Sequence, residues 1–314
     1  MMIRSRSARV HRVGLAFCVF LLFSLSKPLD AQQSPPQTSL KRLRSNIERI
    51  SKSVDAQWGI YIKCLETDEE IAINADETMD TMSVIKLPLM VEVFRQIEAS
   101  RFSLDDRYTI QAQDKRPGTG IIRTLADGGT LTIKDLIVLM NIISDNSATD
   151  ILFEKVGGIE PVNKLMQSYG LKTIRATGTT EAWFTALQAA PNAAAFHAEG
   201  KTPFGLSSAR DTGKLLEKIS RGQAVSRKAS EQMLTIMRGQ IYGTRIPKYV
   251  TGYVVPHKTG DFLPFIANDV GLFESEKSHV VLSIFTAHHY GIGPYLEDAI
   301  GRIAEQVANY YGFR

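Results

Sequence analysis

Cysteine is nearly missing from this chain: among 314 residues there are two, Cys18 and Cys64. So few leave no room for a fold stapled by several disulfides. Neither sign of charge dominates. The 37 Lys and Arg stand against 33 Asp and Glu, for a net charge of +4, with 44% hydrophobic and 22% charged residues. That mix is ordinary for a globular protein and excludes both a wholly disordered chain and a multi-span membrane protein. Internal repeats and long low-complexity segments are also absent. The apolar run at 13–25 falls short of the ~20 residues that a membrane-spanning helix needs.

That run has a different reading. Arg4, Arg6, Arg9 and Arg12 precede it, and Ser26, Lys27, Pro28 and the small residue Ala31 follow. Basic, apolar and small-residue segments in that order predict a secretory signal over 1–31, with a retained N-terminal anchor as the alternative. The mature protein is then periplasmic or secreted, with no stable membrane anchor. Removing 1–31 takes five of the 37 basic residues and one of the 33 acidic ones, leaving 32 of each. A balanced chain gives no case for nucleic acid as a partner. Cys64 is left alone, so no internal disulfide can form. It sits in an apolar run at 58–65 and is expected to serve as a small hydrophobe in a strand.

Residues 32–39 are polar and carry Pro35 and Pro36, which predicts a linker. Leu40, Leu43, Ile47 and Ile50 recur at helical spacing and predict a helix over 40–54. Residues 57–73 read as two strands around an acidic turn. Helices are expected at 83–99, 132–141, 145–155, 160–169, 208–221 and 227–238. Strands return at 252–257, 266–274 and 279–287, and a last helix runs over 295–311. Strands at both ends with helices between them predict an α+β fold: an antiparallel sheet built from both chain ends and flanked by helices, plus an all-helical lobe. Residues 40–314 then form a single domain with two lobes.

Three short motifs carry chemistry. The first is Ser83-Val84-Ile85-Lys86 at a helix start. Residues three apart share a helix face, so Ser83 and Lys86 project together. A serine hydroxyl is a weak nucleophile until a base takes its proton, and a desolvated lysine amine can be that base. The second is Ser144-Asp145-Asn146, between two apolar segments. It reads either as an ordinary loop and cap or as a hydroxyl and an amide presented to a ligand. The third is Lys258-Thr259-Gly260. It offers a cation, a hydroxyl and an unobstructed backbone edge, although a strand end with a solvated lysine would look the same.

In this order the three motifs resemble the serine β-lactamase, class A-like family, within the β-lactamase and penicillin-binding serine acyl-enzyme superfamily. The resemblance extends to the hairpin around Trp58 and Asn74, to Val156-Gly157-Gly158, and to Asn268-Asp269-Val270-Gly271. It implies that Ser83 is acylated, that Lys86 handles its proton, and that Ser144 relays a proton to the departing lactam nitrogen. Asn146 is implied as a contact to the substrate side-chain amide, and Lys258 with Thr259 as the anchor for the substrate carboxylate. The backbone N–H groups of Ser83 and of Phe262, just past Gly260, are implied as the oxyanion hole. The implied substrate is a small β-lactam, the implied state a monomer, and no cofactor or metal is called for.

The chain departs from that family's pattern in two places: the loop that carries the deacylating glutamate, and His257, where many members carry Asp. The resemblance implies a glutamate that activates water for deacylation, opening a Glu-x-x-Leu-Asn run, and no such run exists here. Glu181 stands at nearly the expected distance from Ser144, and Glu199 is a second candidate, in a segment over 181–201 that is Ala-rich and expected to be a loop. Arg245 is expected to help Lys258 hold a carboxylate. His257 is expected to pack on the strand, with titration near neutral pH as the alternative. His197, His257, His288 and His289 show no metal-ligand spacing, and no zinc is expected. The same residues suit two alternatives: an acyl enzyme of penicillin-binding or peptidase type with slow deacylation, and a non-catalytic binding protein on this fold.

Overall fold

Apolar side chains at helical spacing shape the first element. The computed structural model describes residues 37–200 and 204–313. The signal expected over 1–31 lies outside the described residues, as does all but the end of the 32–39 linker. Residues 37–39 already belong to helix α1 (Gln37–Ser51), which buries Leu43 and Ile47. The acidic turn then joins β1 (Gln57–Cys64) to β2 (Glu70–Ile73), and β3 (Thr78–Asp80) follows. A 3₁₀ turn, Met82–Ile85, runs directly into α2 (Lys86–Glu98). A short hairpin, β4 (Arg107–Thr109) and β5 (Thr130–Thr132), leads to α3 (Ile133–Ile142). The Thr132 hydroxyl accepts the Asp135 N–H while the Asp135 carboxylate accepts the Thr132 N–H, and this reciprocal cap sets where α3 begins.

α4 (Asn146–Val156) stops at Gly157, whose φ of +94° suits glycine. Next come α5 (Ile159–Ser168), β6 (Arg175–Ala176), α6 (Thr180–Ala189) and α7 (Ala193–Glu199). β7 (Gly205–Ser208), α8 (Ala209–Ser220) and α9 (Arg227–Met237) close the helical region. The chain ends with β8 (His257–Phe262), β9 (Ile266–Glu274), β10 (His279–Ala287) and α10 (Gly293–Tyr311).

The main sheet runs β2-β1-β10-β9-β8, with every pair antiparallel. Gln57 lies opposite Ala287, so the sheet is built from both ends of the chain, as expected. It is covered on both faces, and the period-2 alternation of strands sorts side chains between two cores. Ile60, Ile62, Leu282 and Ile284 pack with Ile300 and Ile303 of α10 and with Ile47 of α1. Tyr61, Val281 and Phe285 pack with α8 and the helical lobe, in a core that includes Leu87, Leu136 and Leu152. Cys64 is a free thiol buried in the first of these cores. Among the described residues, no helix is long and apolar enough to cross a membrane.

Two expectations about elements need correction. The strand expected at 252–257 begins only at His257 and carries the Lys-Thr-Gly motif itself. Gly252 (φ +81°) and Pro256 keep the preceding stretch irregular, and the alternating Tyr253, Val254 and Val255 follow a loop instead. The Ala-rich 181–201 segment is not a simple loop either. It forms α6 and α7, capped by Thr179 and Asn192, with Gly200 left-handed at the end. Alanine's helix propensity and those caps are the local cause.

Candidate active site

The nucleophile candidate sits in the 3₁₀ turn before α2. Asp80 accepts the Met82 N–H at 2.8 Å and so supports the unusual positive φ of Met82, +44°. Asn268 of β9 donates its amide to the Asp80 carbonyl at 2.8 Å, tying the turn to the sheet. β8 is the edge strand, and at Gly260 its backbone comes against this turn. A Cβ on Gly260 would lie 2.4 Å from the Thr81 carbonyl oxygen and 3.1 Å from the Ser83 nitrogen. Only glycine permits that approach.

Lys86, one turn on from Ser83, is fully buried. Its Nζ lies 2.7 Å from the Ser144 carbonyl oxygen, 2.9 Å from Asn146 Oδ1 and 3.1 Å from Ser144 Oγ. Among the described residues, Ser83 Oγ makes no hydrogen bond, so Lys86 leans on the second motif rather than on its helix neighbour. Burial first, and then the charge of Lys258, hold the Lys86 amine well below the ordinary lysine range, against the pull of Asp145, Asp150 and Asp261. A neutral amine has two hydrogens and a lone pair. The carbonyl and amide oxygens take the hydrogens, which leaves the lone pair for a hydroxyl proton.

Ser144, at φ +57°, turns its hydroxyl between two lysines. Lys258 Nζ donates to Ser144 Oγ at 3.1 Å and to the Thr259 carbonyl at 2.8 Å. Lys258 is also fully buried, and burial pulls its amine down to about 8 against Asp261 and Asp269, with Arg245 adding to the fall. Asp145 is structural. Its carboxylate caps α4 through the Ala148 N–H and holds the adjoining loop through the N–H groups of Ile121 (2.7 Å) and Ile122 (3.0 Å). Asn146 Nδ2 donates to the Pro117 carbonyl at 2.9 Å. Thr259 Oγ1 is buried and has no partner among the described residues, a position that a ligand oxygen would satisfy. Ser83, Ser144, Asn146, Thr180, Asp261 and Phe262 all line one cleft of about 280 Å³.

The strand phase moves one expected donor. The Leu272 N–H donates to the Pro256 carbonyl at 3.0 Å, and the Phe265 N–H to the Phe262 carbonyl at 2.8 Å. Even-numbered residues of β8 therefore turn their backbone groups toward β9, and His257, Thr259 and Asp261 turn theirs to the open edge. The N–H beside the nucleophile turn is that of Asp261. Phe262, expected in that role, pairs with Ile266 and contributes its ring to the cleft wall.

Three other expected residues sit differently from the sequence expectation. Glu181 does not line the cleft. Its side chain is 65% exposed and faces Arg116 at 3.2 Å. The cause is a clamp on α6: Asp150 accepts the N–H groups of Thr180 (2.8 Å) and Glu181 (3.1 Å) and also binds Arg116 Nε at 2.8 Å. That fixes the rotation of α6 so that Thr180, Trp183, Phe184 and Leu187 face the cleft. Glu199, at the end of α7, is exposed and is not part of that lining either. Arg245 is 3% exposed and already occupied. It pairs with Asp261, with Glu297 at 3.0 Å, and with the Asn268 carbonyl at 2.8 Å.

His257 is buried and bonds through Nδ1 to Asp269 at 2.9 Å. His197 accepts the His288 N–H at 3.3 Å, and His289 meets the Asp55 carbonyl. Sequence reasoning missed Asp261 and the aromatic wall. Trp183, Phe196 and Phe262 meet edge to face at 5.1 to 6.0 Å and seat α6 and α7 against the end of β8. The charged residue directly after Lys258-Thr259-Gly260 was the available signal.

Known proteins resemble this chain in sequence and fold. β-Lactamase VEB-1 of Pseudomonas aeruginosa is 26% identical over 307 residues, spanning 93% of this chain and 97% of that enzyme. β-Lactamase Toho-1 of Escherichia coli is 26% identical over 273 residues, 85% of this chain and 86% of its own length. The crystal structure of the β-lactamase from Sphaerobacter thermophilus DSM 20745 superposes with a TM-score of 0.75 at 26% identity, covering 89% of this chain and 99% of that one. PBP-A, at 22% identity and a TM-score of 0.74, shares the fold over 87% of this chain and 97% of its own. The sequence profile of the β-lactamase enzyme family matches residues 42–311, and on that match the chain belongs to this family as a serine β-lactamase-type hydrolase of class A.

Proposed function

We propose that the protein is exported, acts as a monomer, and opens β-lactam rings through an acyl-enzyme on Ser83. The observation that carries this is the meeting of two buried lysines at Ser144 Oγ, in the cleft that also holds Ser83. The substrate carboxylate docks on Thr259 Oγ1 and Lys258, and the side-chain amide lies along Asn146. The lactam oxygen accepts from the N–H groups of Ser83 and Asp261, where negative charge develops.

Ser83 Oγ attacks the lactam carbon, and its proton passes to the neutral amine of Lys86. The carbon–nitrogen bond then breaks. The proton leaves Lys86 through the Ser144 hydroxyl for the departing nitrogen, giving an ester on Ser83 and a ring-opened amine. Lys86 is neutral again and serves as base for the water that cleaves the ester. Deacylation is the slow step, because α6 turns apolar and hydroxyl side chains, not a carboxylate, toward the cleft. On this reading the activity lies between rapid hydrolysis and the slow-deacylating alternative.

Stopped-flow hydrolysis of a chromogenic cephalosporin tests it. The expected trace is a burst of about one equivalent per enzyme followed by slower turnover, both lost in Ser83→Ala. Absence of burst and turnover in a folded wild type refutes the proposal. For export, N-terminal sequencing of the protein recovered outside the cytoplasm should start close after Ala31. Recovery of the full-length chain in the membrane fraction would replace export with a retained anchor. Size-exclusion chromatography of the mature protein should give the mass of a monomer.

A further inference from the structure

Asp261 places a carboxylate in the cleft directly beside the position proposed for the substrate carboxylate. It follows Gly260 on the strand that carries Lys258 and Thr259, and it lines the same cleft as Ser83. Its side chain is 38% exposed, so solvent or a ligand can reach it although it also pairs with the buried Arg245. It is also the partner of Arg245, the cation otherwise placed to reinforce Lys258. Arg245 is shared with Glu297, and Asp269 stands behind Thr259 across the β8–β9 ladder. Three carboxylates thus surround two cations, Lys258 and Arg245, with His257 bonded to Asp269. On β8 a ligand carboxylate finds the Thr259 hydroxyl, buried and without a partner among the described residues, and an arginine that is already paired.

We propose that Asp261 sets the charge preference of the site, favouring β-lactams whose ring carboxylate is accompanied by a neighbouring cationic substituent. The inference rests on the function proposed above and names the substrate class of that site. In a cephalosporin, the carboxylate and the C3 substituent stand on adjacent ring atoms. A quaternary ammonium there reaches Asp261 while the carboxylate meets Thr259 and Lys258. A neutral substituent leaves two carboxylates facing each other. At partial exposure the discrimination is moderate, roughly 5- to 10-fold.

The test compares kcat/KM for two cephalosporins, one with a quaternary ammonium at C3 and one with a neutral group, in wild type, Asp261→Asn and Asp261→Glu. Intrinsic reactivity cancels when the ratio of the two substrates is followed across variants. Asp261→Asn should lower the cationic-to-neutral ratio about 5-fold or more, Asp261→Glu should keep it, and added salt should erode the wild-type ratio but not that of Asp261→Asn. A variant that merely loosens Arg245 would lower both substrates together. A ratio within two-fold of wild type in Asp261→Asn overturns the inference while leaving the β-lactamase function standing. If wild type neither hydrolyses nor is acylated by either compound, the proposed function falls and this inference falls with it.

Discussion

Gly260→Ala puts one methyl group between the edge strand and the nucleophile turn. Gly260 is not among the residues with positive φ, so alanine suits its backbone and space alone decides the outcome. The new Cβ would lie 2.4 Å from the Thr81 carbonyl oxygen, 3.0 Å from the Val84 nitrogen and 3.1 Å from the Ser83 nitrogen. All three neighbours are backbone atoms, so no side chain can swing away. Relief to ordinary contact needs β8 and the turn to part by roughly 1 Å, a misplacement that costs on the order of 10²-fold in rate. That corresponds to about 2.7 kcal/mol of transition-state stabilisation. Overpacking adds a stability loss of about 1–3 kcal/mol. Acylation rates from rapid-quench mass spectrometry, beside thermal unfolding followed by circular dichroism, separate the two effects. Wild-type acylation by Gly260→Ala would refute the close approach of β8 to Ser83 as the basis of the oxyanion site.

Other outcomes follow from the same geometry. Glu181→Ala should leave the deacylation rate within two-fold of wild type, because its carboxylate pairs with Arg116 outside the cleft; single-turnover kinetics read this, and a hundred-fold loss would restore Glu181 as the base. Lys86 must be neutral to accept a proton, so kcat/KM should fall as pH drops through its lowered pKa, with an acid limb well under the ordinary lysine range. In the proposed binding mode Lys258 acts as a cation that is present below about 8 and lost above it, so KM for anionic substrates should rise on the alkaline side of that value. Asp145→Ala removes a helix cap and the anchors of Ile121 and Ile122, and urea unfolding should show a loss of about 3 kcal/mol.

How far the sequence carried depended on the range of the signal. Ser83, Lys86, Ser144, Asn146, Lys258 and Thr259 lie in contiguous motifs, and their clustering needed only the order of those motifs. The sheet was legible because β1, β9 and β10 keep apolar runs at the two chain ends. Properties set by partners far along the chain were not legible. Phe262 and Asp261 differ by one residue, and a strand's phase flips with a single step, so the pairing with β9 decides which N–H faces the turn. Glu181 and Thr180 also differ by one residue, about 100° of helix rotation, and the clamp from Asp150 on α4 chooses between them. Arg245 looked available because Asp261 and Glu297 are 16 and 52 residues away from it in sequence.

The covalent step on Ser83 is open to direct measurement. Wild type and Ser83→Ala are mixed with a penicillin, quenched within seconds, digested and mapped by mass. Ring opening loses no atoms, so the peptide containing Ser83 should gain the full mass of the β-lactam, and Ser83→Ala should carry no label. A label on any other residue, or hydrolysis by Ser83→Ala at the wild-type rate, would contradict the assignment of Ser83 as the nucleophile.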